Sequence, residues 1–259
     1  MRIIVDAFGG DNAPREILLG CAQAVEALGV DITLAGDEKK LAACAKELDV
    51  ENSFSKMEVL DCQDVLSMED EPSSILKERS GCSMAVGMKA LAEGRGDAFA
   101  SAGNSGALTV GATMLVKRMK GVKRVAFAPV LPTAKTPFMV CDGGANVACR
   151  ADMLLQFGLM GSVYMEKVMK VKSPRVGLVN VGTESHKGDE LRQEAYGLLK
   201  NCPGLNFIGN IEPRDIPYGA CDVAVADGFT GNTVLKLYEG TALAMMGMVK
   251  DIFKKSAKN

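Results

Sequence analysis

Short apolar runs alternate with longer segments of helical spacing along the whole chain, and this alternation restricts the possible folds more than any other feature. The runs that are typical of buried strands lie at residues 2–5, 31–34, 56–60, 97–100, 125–131, 137–140, 175–180, 206–208 and 223–226. The segments with helical periodicity lie at residues 14–28, 38–48, 83–92, 105–119, 151–170, 190–199 and from 231 onward. Strands that alternate with helices of this length form a mostly parallel sheet with helices on both faces. The sequence therefore predicts a three-layer α/β/α fold, and we expect residues 1–259 to form a single domain, since no repeat or linker interrupts them.

The composition limits the chemistry that one copy of the chain can perform. His186 is the single histidine, so a metal site with two imidazole ligands or a two-histidine proton relay is excluded. The eight cysteines form no CxxC pair, and we expect them to be reduced, with no metal site and no cofactor. Thirty Lys and Arg against 32 Asp and Glu give a net charge of -2, which does not favour a nucleic-acid partner.

Polar or glycine-rich segments follow five of the predicted strands. They lie at residues 6–14, 101–106, 142–146, 181–188 and 227–232. In an open α/β sheet, ligands bind beyond the carboxyl ends of the strands, where loops meet helix N-termini. Glycines at such turns often serve only the turn geometry. Five such segments in one chain nevertheless favour a binding site.

Two of these segments are suited to binding an anion. Helix N-termini present unpaired N–H groups, and glycine lets a phosphate approach the backbone closely. The segments 103–106 and 230–232 have this character, and Asn104 and Asn232 add neutral amide donors. Lys187 lies in a glycine-flanked loop and is suited to neutralise phosphate, although a solvated surface lysine is the alternative.

The motifs of several common enzyme classes are missing. The chain has no GxGxxG after its first predicted strand, no GxxxxGK[ST] and no GxSxG, so dinucleotide, P-loop and hydrolase interpretations lack their motif. No protein nucleophile is evident. This pattern favours a reaction in which the substrate itself attacks, such as inorganic phosphate attacking a thioester. The thiolate leaving group, with a pKa of roughly 8.5, needs no strong general acid.

Six ordered blocks of the chain resemble the phosphate acyltransferase (PlsX) family. They are VDAFGGDNAP, SAGNSGAL, DGGANV with LLQFGLMGSVY, PRVGLVNVGTE with KGDEL, FIGNIEPRDI, and CDVAVADGFTGNTVLK. The resemblance implies transfer of a fatty acyl group from acyl carrier protein to phosphate, giving acyl-phosphate for phospholipid synthesis. It also implies a homodimer, a fold similar to isocitrate and isopropylmalate dehydrogenases, and a peripheral membrane location.

On this hypothesis the candidate site residues fall into two groups. The predicted catalytic residues are Lys187, Asn104 and Asn232. The predicted substrate- or phosphate-binding residues are Gly103, Ser105, Gly106, Asp142, Asn146, Thr183, Asp227, Thr230, Gly231, Asp11 and Asn12.

The chain departs from the family pattern at two points. Family members usually have histidine where this chain has Asn12, and asparagine can replace a hydrogen bond but not a proton transfer. The family also continues into a further glycine-rich segment, so we expect this chain, which ends at Asn259, to lack it.

The last predicted helix bears on location. Residues 240–249 (GTALAMMGMV) are uncharged and contain three methionines, and lysines follow at 250, 254, 255 and 258. Ten residues cannot span a bilayer. The segment is either a buried dimer or core helix or an apolar surface that rests on lipid. With no signal peptide evident, we expect a cytoplasmic protein, with peripheral membrane contact through residues 240–255.

Three other functions remain open from the sequence. One is a phosphate acetyl- or butyryltransferase that uses acyl-CoA. The second is a dehydrogenase of the same fold that uses NAD and a metal held by Asp142, Asp222 and Asp227. The third is a scaffold without catalytic activity that binds a membrane or a carrier protein.

Overall fold

The computed structural model describes residues 1–256 and divides the chain into two compact units, residues 1–120 and the residues from Gly121 onward. Within the described residues each unit has its own sheet, of four strands in the first and five in the second. The mostly parallel α/β class predicted from the sequence is confirmed. The expected single sheet is replaced by two, and the grouping of both units into one domain stays a prediction.

The first unit is built around a fully parallel sheet with the strand order β3-β2-β1-β4. Its elements are β1 (Arg2–Asp6), α1 (Arg15–Leu28), β2 (Asp31–Gly36), α2 (Glu38–Glu47), α3 (Glu51–Phe54), β3 (Glu58–Asp61), a 3-10 turn (Pro72–Leu76), α4 (Ser83–Ala92), β4 (Ala98–Ala100), α5 (Ser105–Gly111) and a π-turn (Ala112–Val116).

Helices cover both faces of this sheet because successive residues of a strand point to opposite sides. Val5 belongs to a buried cluster with Leu18 of α1 and Leu41 of α2. Its neighbour Ile4 packs in a different cluster, with Ala90 of α4. The strands are therefore apolar on both sides, which explains why they read as continuous apolar runs.

The second unit has the strand order β5-β6-β9-β7-β8, in which β5 is antiparallel to β6 and the other pairs are parallel. Its elements are β5 (Val130–Leu131), β6 (Phe138–Cys141), α6 (Ala151–Lys167), β7 (Val176–Val179), α7 (Glu190–Lys200), β8 (Phe207–Ile211), a 3-10 turn (Pro213–Tyr218), β9 (Val223–Val225) and α8 (Gly228–Ser256).

The second sheet is also covered on both faces. Met139 of β6 packs in a cluster with Leu154 of α6, while the adjacent Val140 packs with Ile216 and with Val234 of α8. Only the first part of α8 takes part in this core, because every described residue from 239 to 254 is exposed. Of the helices in residues 1–256, none combines the length and the apolar character needed to cross a membrane.

The largest difference from the predicted elements is the helix expected at residues 105–119. The α-helix ends at Gly111, where a side chain would meet the sulfur of Met88 at 2.3 Å, and a π-turn follows. Lys117 then has a φ of 72°, a left-handed conformation that a helix cannot continue through.

Candidate functional site

The predicted loops fall into two groups, each at the carboxyl edge of one sheet. In the second unit the segments 142–146, 227–232 and 181–188 follow β6, β9 and β7, which are neighbours in the sheet. In the first unit the segments 6–14 and 101–106 follow the paired strands β1 and β4. Parallel strands place these ends side by side.

Asp142 organises the loop that follows β6. Its side chain is fully buried. The carboxylate accepts hydrogen bonds of 2.6 to 3.1 Å from the backbone N–H groups of Phe127, Gly144, Ala145 and Asn146 and from the side-chain amide of Asn146. A carboxylate held by this many donors fixes the backbone around it, so the structure gives Asp142 a positioning role.

The N-terminus of α8 lies directly against this loop. A Cβ on Gly231 would lie 1.8 Å from the carbonyl oxygen of Asp142, so only glycine permits this approach. The Gly228 N–H donates to the carbonyl of Asn146 at 2.7 Å, and the Asn146 side chain also donates to the carbonyl of Val125 at 2.7 Å. Gly231 and Asn146 therefore join the helix to the loop.

Asp227 caps α8 and binds an arginine that the sequence analysis missed. Its carboxylate, which is buried, accepts hydrogen bonds from the backbone N–H and the hydroxyl of Thr230 at 2.9 and 2.8 Å. Arg192 of α7 forms a salt bridge with Asp227 and donates to the Thr230 hydroxyl at 2.8 Å. Because the Gly228 and Thr230 N–H groups are already bonded to the protein, fewer backbone donors remain for an anion here than the sequence predicts.

Arg192 lines a cleft of about 500 Å³ in which Asn180, Asp189 and Thr230 supply polar groups and Val179, Val181 and Pro213 supply apolar surface. Its side chain is mostly buried, with 17% exposed. Burial would raise the pKa of Asp189, but hydrogen bonds from Arg192 outweigh this and lower it, so Asp189 stays ionised. The sequence could have indicated this role, because Arg192 lies three residues after Asp189, which caps α7. An arginine at that position directs its side chain back toward the helix N-terminus.

Two buried asparagines donate hydrogen bonds to the loop after β7. The Asn180 side chain donates to the carbonyl of Lys187 at 3.0 Å, and the Asn210 side chain donates to the carbonyl of Glu184 at 2.7 Å. Lys187 itself is exposed, and no ion pair of its ammonium group is formed within residues 1–256. Thr183 is exposed in the same loop. The backbone of this loop is therefore fixed, whereas the ammonium group of Lys187 is available to a ligand.

Asn232, in the first turns of α8, is exposed, and its amide has no hydrogen-bond partner in the described part of the chain. Its side chain lies beside Gly144, where an added Cβ would be 3.5 Å from Oδ1. Asn232 is thus available to a ligand at the edge of the loop after β6.

In the first unit, Asp6 ties the two loops together. Its buried carboxylate accepts hydrogen bonds from the hydroxyls of Ser83 at 2.6 Å and Ser101 at 2.7 Å. Asp11 and Asn12, which follow in the same loop, are exposed. Their predicted binding role stays a prediction.

Asn104 is committed to structural contacts. It caps α5 by accepting a hydrogen bond from the Ala107 N–H at 3.0 Å, and its amide donates to the carbonyls of Ser67, Met68 and Asp70 at 3.2 to 3.4 Å. A Cβ on the nearby Gly106 would meet Pro72 at 2.8 Å. These contacts position the loop. Direct donation by Asn104 to a substrate, and binding by Gly103, Ser105 and Gly106, stay predictions.

The cysteines nearest the second loop group are poorly suited to act as nucleophiles. Burial raises the pKa of Cys141 to about 12, and burial also raises the pKa of Cys149. Both therefore remain protonated thiols near neutral pH, and the thiolate is the nucleophilic form.

The aspartates named for the dehydrogenase alternative are engaged with protein groups. Asp142 and Asp227 hold the loops described above, and Asp222 pairs with Arg175 at 3.0 Å and accepts its backbone N–H at 2.7 Å. No observation in the described residues favours their use as metal ligands.

Comparison with known proteins identifies the family. The sequence pattern of a family described as "Fatty acid synthesis protein" matches residues 1–259. The chain belongs to this family. A phosphate acyltransferase from Clostridium botulinum (strain Loch Maree / Type A3) is 49% identical over 253 residues, which are 97% of this chain and 74% of the relative. A phosphate acyltransferase from Clostridium acetobutylicum is 42% identical over 259 residues, covering 100% of this chain and 77% of the relative. The resemblance predicted from the motifs is confirmed.

Solved structures agree with the fold of this fatty acid synthesis protein. The EutD phosphotransacetylase from Staphylococcus aureus superimposes with a TM-score of 0.66 at 17% identity, over 93% of this chain and 82% of that one. A branched-chain phosphotransacylase from Enterococcus faecalis V583 gives 0.55 at 14% identity, over 91% and 83%. At this identity the likeness shows the α/β fold alone.

Proposed function

We propose that this member of the fatty acid synthesis protein family transfers a fatty acyl group from an acyl carrier protein to inorganic phosphate. The observation that carries the proposal is the 42 to 49% identity to phosphate acyltransferases over nearly the whole chain. Cys141 and Cys149, whose raised pKa values keep both thiols protonated near neutral pH, support a reaction without a covalent acyl-enzyme.

In the proposed reaction, an oxygen of hydrogen phosphate forms a bond to the thioester carbonyl carbon. The carbon–sulfur bond breaks, the sulfur leaves with the electron pair, and the phosphate proton ends on the thiol. The products are acyl-phosphate and the free carrier thiol. The protein has to hold the two reactants together and stabilise the negative charge that develops on the carbonyl oxygen.

We assign these tasks to the loops after β7 and β9. Lys187 supplies positive charge for phosphate, and the Asn232 amide is available to the developing oxyanion. Arg192, which is paired with Asp189 and Asp227, holds Thr230 at the edge of the cleft. The Thr183 hydroxyl binds a substrate oxygen, and Thr230, whose N–H and hydroxyl donate to Asp227, contacts the substrate without donating a hydrogen bond to it. Asp142, Asn146, Asp227 and Gly231 hold the loops in place. In the first unit, Gly103, Asn104, Ser105, Gly106, Asp11 and Asn12 are proposed to bind substrate.

The test is an assay with purified protein, hexadecanoyl-carrier thioester and phosphate that measures thiol release and acyl-phosphate together. We expect both to require phosphate and to form in equal amounts. Lys187→Ala is expected to lower the rate by at least about tenfold, since a charged hydrogen bond contributes about 1.5–3 kcal/mol. Lys172→Ala, at another exposed lysine, is the matched control. Thiol release without phosphate, or an acyl group trapped on a side chain, would contradict the proposal.

The same assay with acetyl- and butyryl-CoA tests the second candidate, a short-chain phosphate acyltransferase. The fold shared with two phosphotransacylases favours including it. A preference for these donors over the carrier thioester would replace the fatty acyl assignment. The dehydrogenase alternative is tested by measuring the melting temperature with and without NAD and magnesium. This alternative requires the two ligands to raise the melting temperature.

We also propose a cytoplasmic homodimer that contacts the membrane peripherally. The helix α8 exposes large apolar side chains beyond Gly240, including Leu243, Met246 and Phe253, each at least 70% exposed. The interpretation of this segment as a core helix of the same chain is not supported. A helix that is apolar on all sides needs a cover, and a second copy and a lipid surface both supply one.

A further inference from the structure

A long apolar groove of about 980 Å³ runs along the first half of α8. One wall is the face of α8 that carries Val234, Leu237 and Met245, and Phe229 in the first turn of the helix adds to this wall. The opposite wall comprises Pro132 and Pro217, which precede β6 and β9. Leu237 is 69% exposed and Phe229 68% exposed, so the groove is open in this chain.

The groove presents an apolar surface with little hydrogen-bonding capacity. Arg214 is its single charged lining residue among those described, and it pairs with Glu212 at 2.8 Å. The hydroxyls of Tyr238 and Thr233 donate to the carbonyls of Pro132 and Phe229 at 2.6 and 2.8 Å. A hydrocarbon chain requires no polar partners, whereas a peptide would leave its backbone groups unsatisfied here.

The groove opens onto the cleft that contains the charged groups of Arg192 and Asp189. Thr230 and Pro213 line both cavities, so the end of the groove and the edge of the cleft coincide. A ligand with a polar reacting end and an apolar tail can therefore place its reacting end in the cleft and its tail in the groove. This continuity indicates which ligand the groove takes.

The dimensions agree with a fatty acyl chain. From Phe229 to Met245 the helix advances about 24 Å. A bilayer core of ~30 Å holds two opposed acyl chains, so one chain spans about 15 Å. We propose that the groove binds the hydrocarbon chain of the acyl donor, with the thioester end of the donor where the groove meets the cleft. This assignment rests on the proposed function.

The experiment uses the absence of tryptophan from the sequence. Leu237→Trp places a fluorophore in the groove about 10 Å along the helix from Thr230. Lys236→Trp, at the next residue, is the matched control, since Lys236 is exposed and does not line the groove. The binding probe is hexadecylphosphonate, a non-reactive chain with an anionic end, used below its micelle concentration. Circular dichroism verifies that both variants fold.

We expect hexadecylphosphonate to shift the Leu237→Trp emission to shorter wavelength and to leave Lys236→Trp unchanged. In the acyl transfer assay, Leu237→Trp should lower kcat/KM for the hexadecanoyl donor by at least about tenfold, since each methylene that loses its apolar contact costs about fourfold. Turnover of the hexanoyl donor should stay within about twofold of wild type, because a chain about a third as long ends short of Leu237.

The outcomes separate the groove from the reaction. A fluorescence shift in a protein that shows no acyl transfer would support acyl-chain binding in the groove and contradict the proposed function. If Leu237→Trp lowers kcat/KM equally for both donors, or for neither, the groove does not bind the acyl chain, while the proposed function is retained. A shift that needs phospholipid vesicles assigns the surface to a membrane, and one that rises with protein concentration alone assigns it to a second copy. Either of these two results overturns the proposal.

Discussion

At the scale of single residues, the polar groups of the second unit divide into those that hold the loops and those that remain available. Asp142 and Asp227 have their oxygens bonded to protein donors. Lys187 and Asn232 are exposed and make no such bonds within residues 1–256. From the sequence, Lys187 and Asn232 were predicted to be catalytic, and Asp142 and Asp227 were predicted to bind substrate or to hold the loops. The hydrogen bonds show that the two aspartates hold the loops.

Asp142→Asn tests the loop-holding class. The amide keeps the shape but offers one oxygen in place of two, and its NH2 group faces N–H donors. We expect a loss of about 3 kcal/mol in the free energy of unfolding, measured by urea denaturation. Asp31→Asn, at an exposed aspartate, should change it by less than about 0.5 kcal/mol. Equal stability of the two variants would mean that the Asp142 hydrogen bonds do not contribute to folding.

At the scale of elements, one close contact fixes the start of α8 against the loop after β6. Gly231→Ala must separate Gly231 from the Asp142 carbonyl by more than about 1 Å, a displacement that costs about 100-fold in a preorganised site. We expect a fall of this size in acyl transfer and a lower melting temperature.

The control for this substitution is Gly197→Ala in α7, where an added Cβ meets nothing within 4 Å. That variant should gain up to about 1 kcal/mol from helix propensity and keep full activity. If Gly231→Ala behaves as Gly197→Ala does, the contact between helix and loop is not needed for the site.

At the scale of the whole molecule, the exposed part of α8 requires a cover. A second copy is expected, so the wild-type chain should have twice its 27.4 kDa mass in light scattering. Leu243→Glu, at a side chain that is 72% exposed, should give monomers because it places a charge in the shared apolar surface. Lys172→Glu is the control for charge alone. A wild-type monomer that floats with anionic vesicles would show that lipid, rather than a second copy, covers the helix.

The sequence by itself determined the class of fold and the positions of the loops. Strands such as β1 and β7 are apolar on both faces because helices cover both sides of a parallel sheet, and this leaves a pattern visible without coordinates. Glycine also marked the turns, because few other residues permit the same close approach. The family followed from the ordered motifs in those loops.

Only the tertiary structure decided which side chains meet and what remains free. Arg192 pairs with Asp227 across 35 positions, and the apolar groove has walls from segments about 100 residues apart, such as Pro132 and Leu237. Such neighbours are set by packing between elements, and no local spacing encodes them. The two-sheet division was hidden for the same reason, because strand pairing depends on contacts between distant segments while helix and strand periodicity is local.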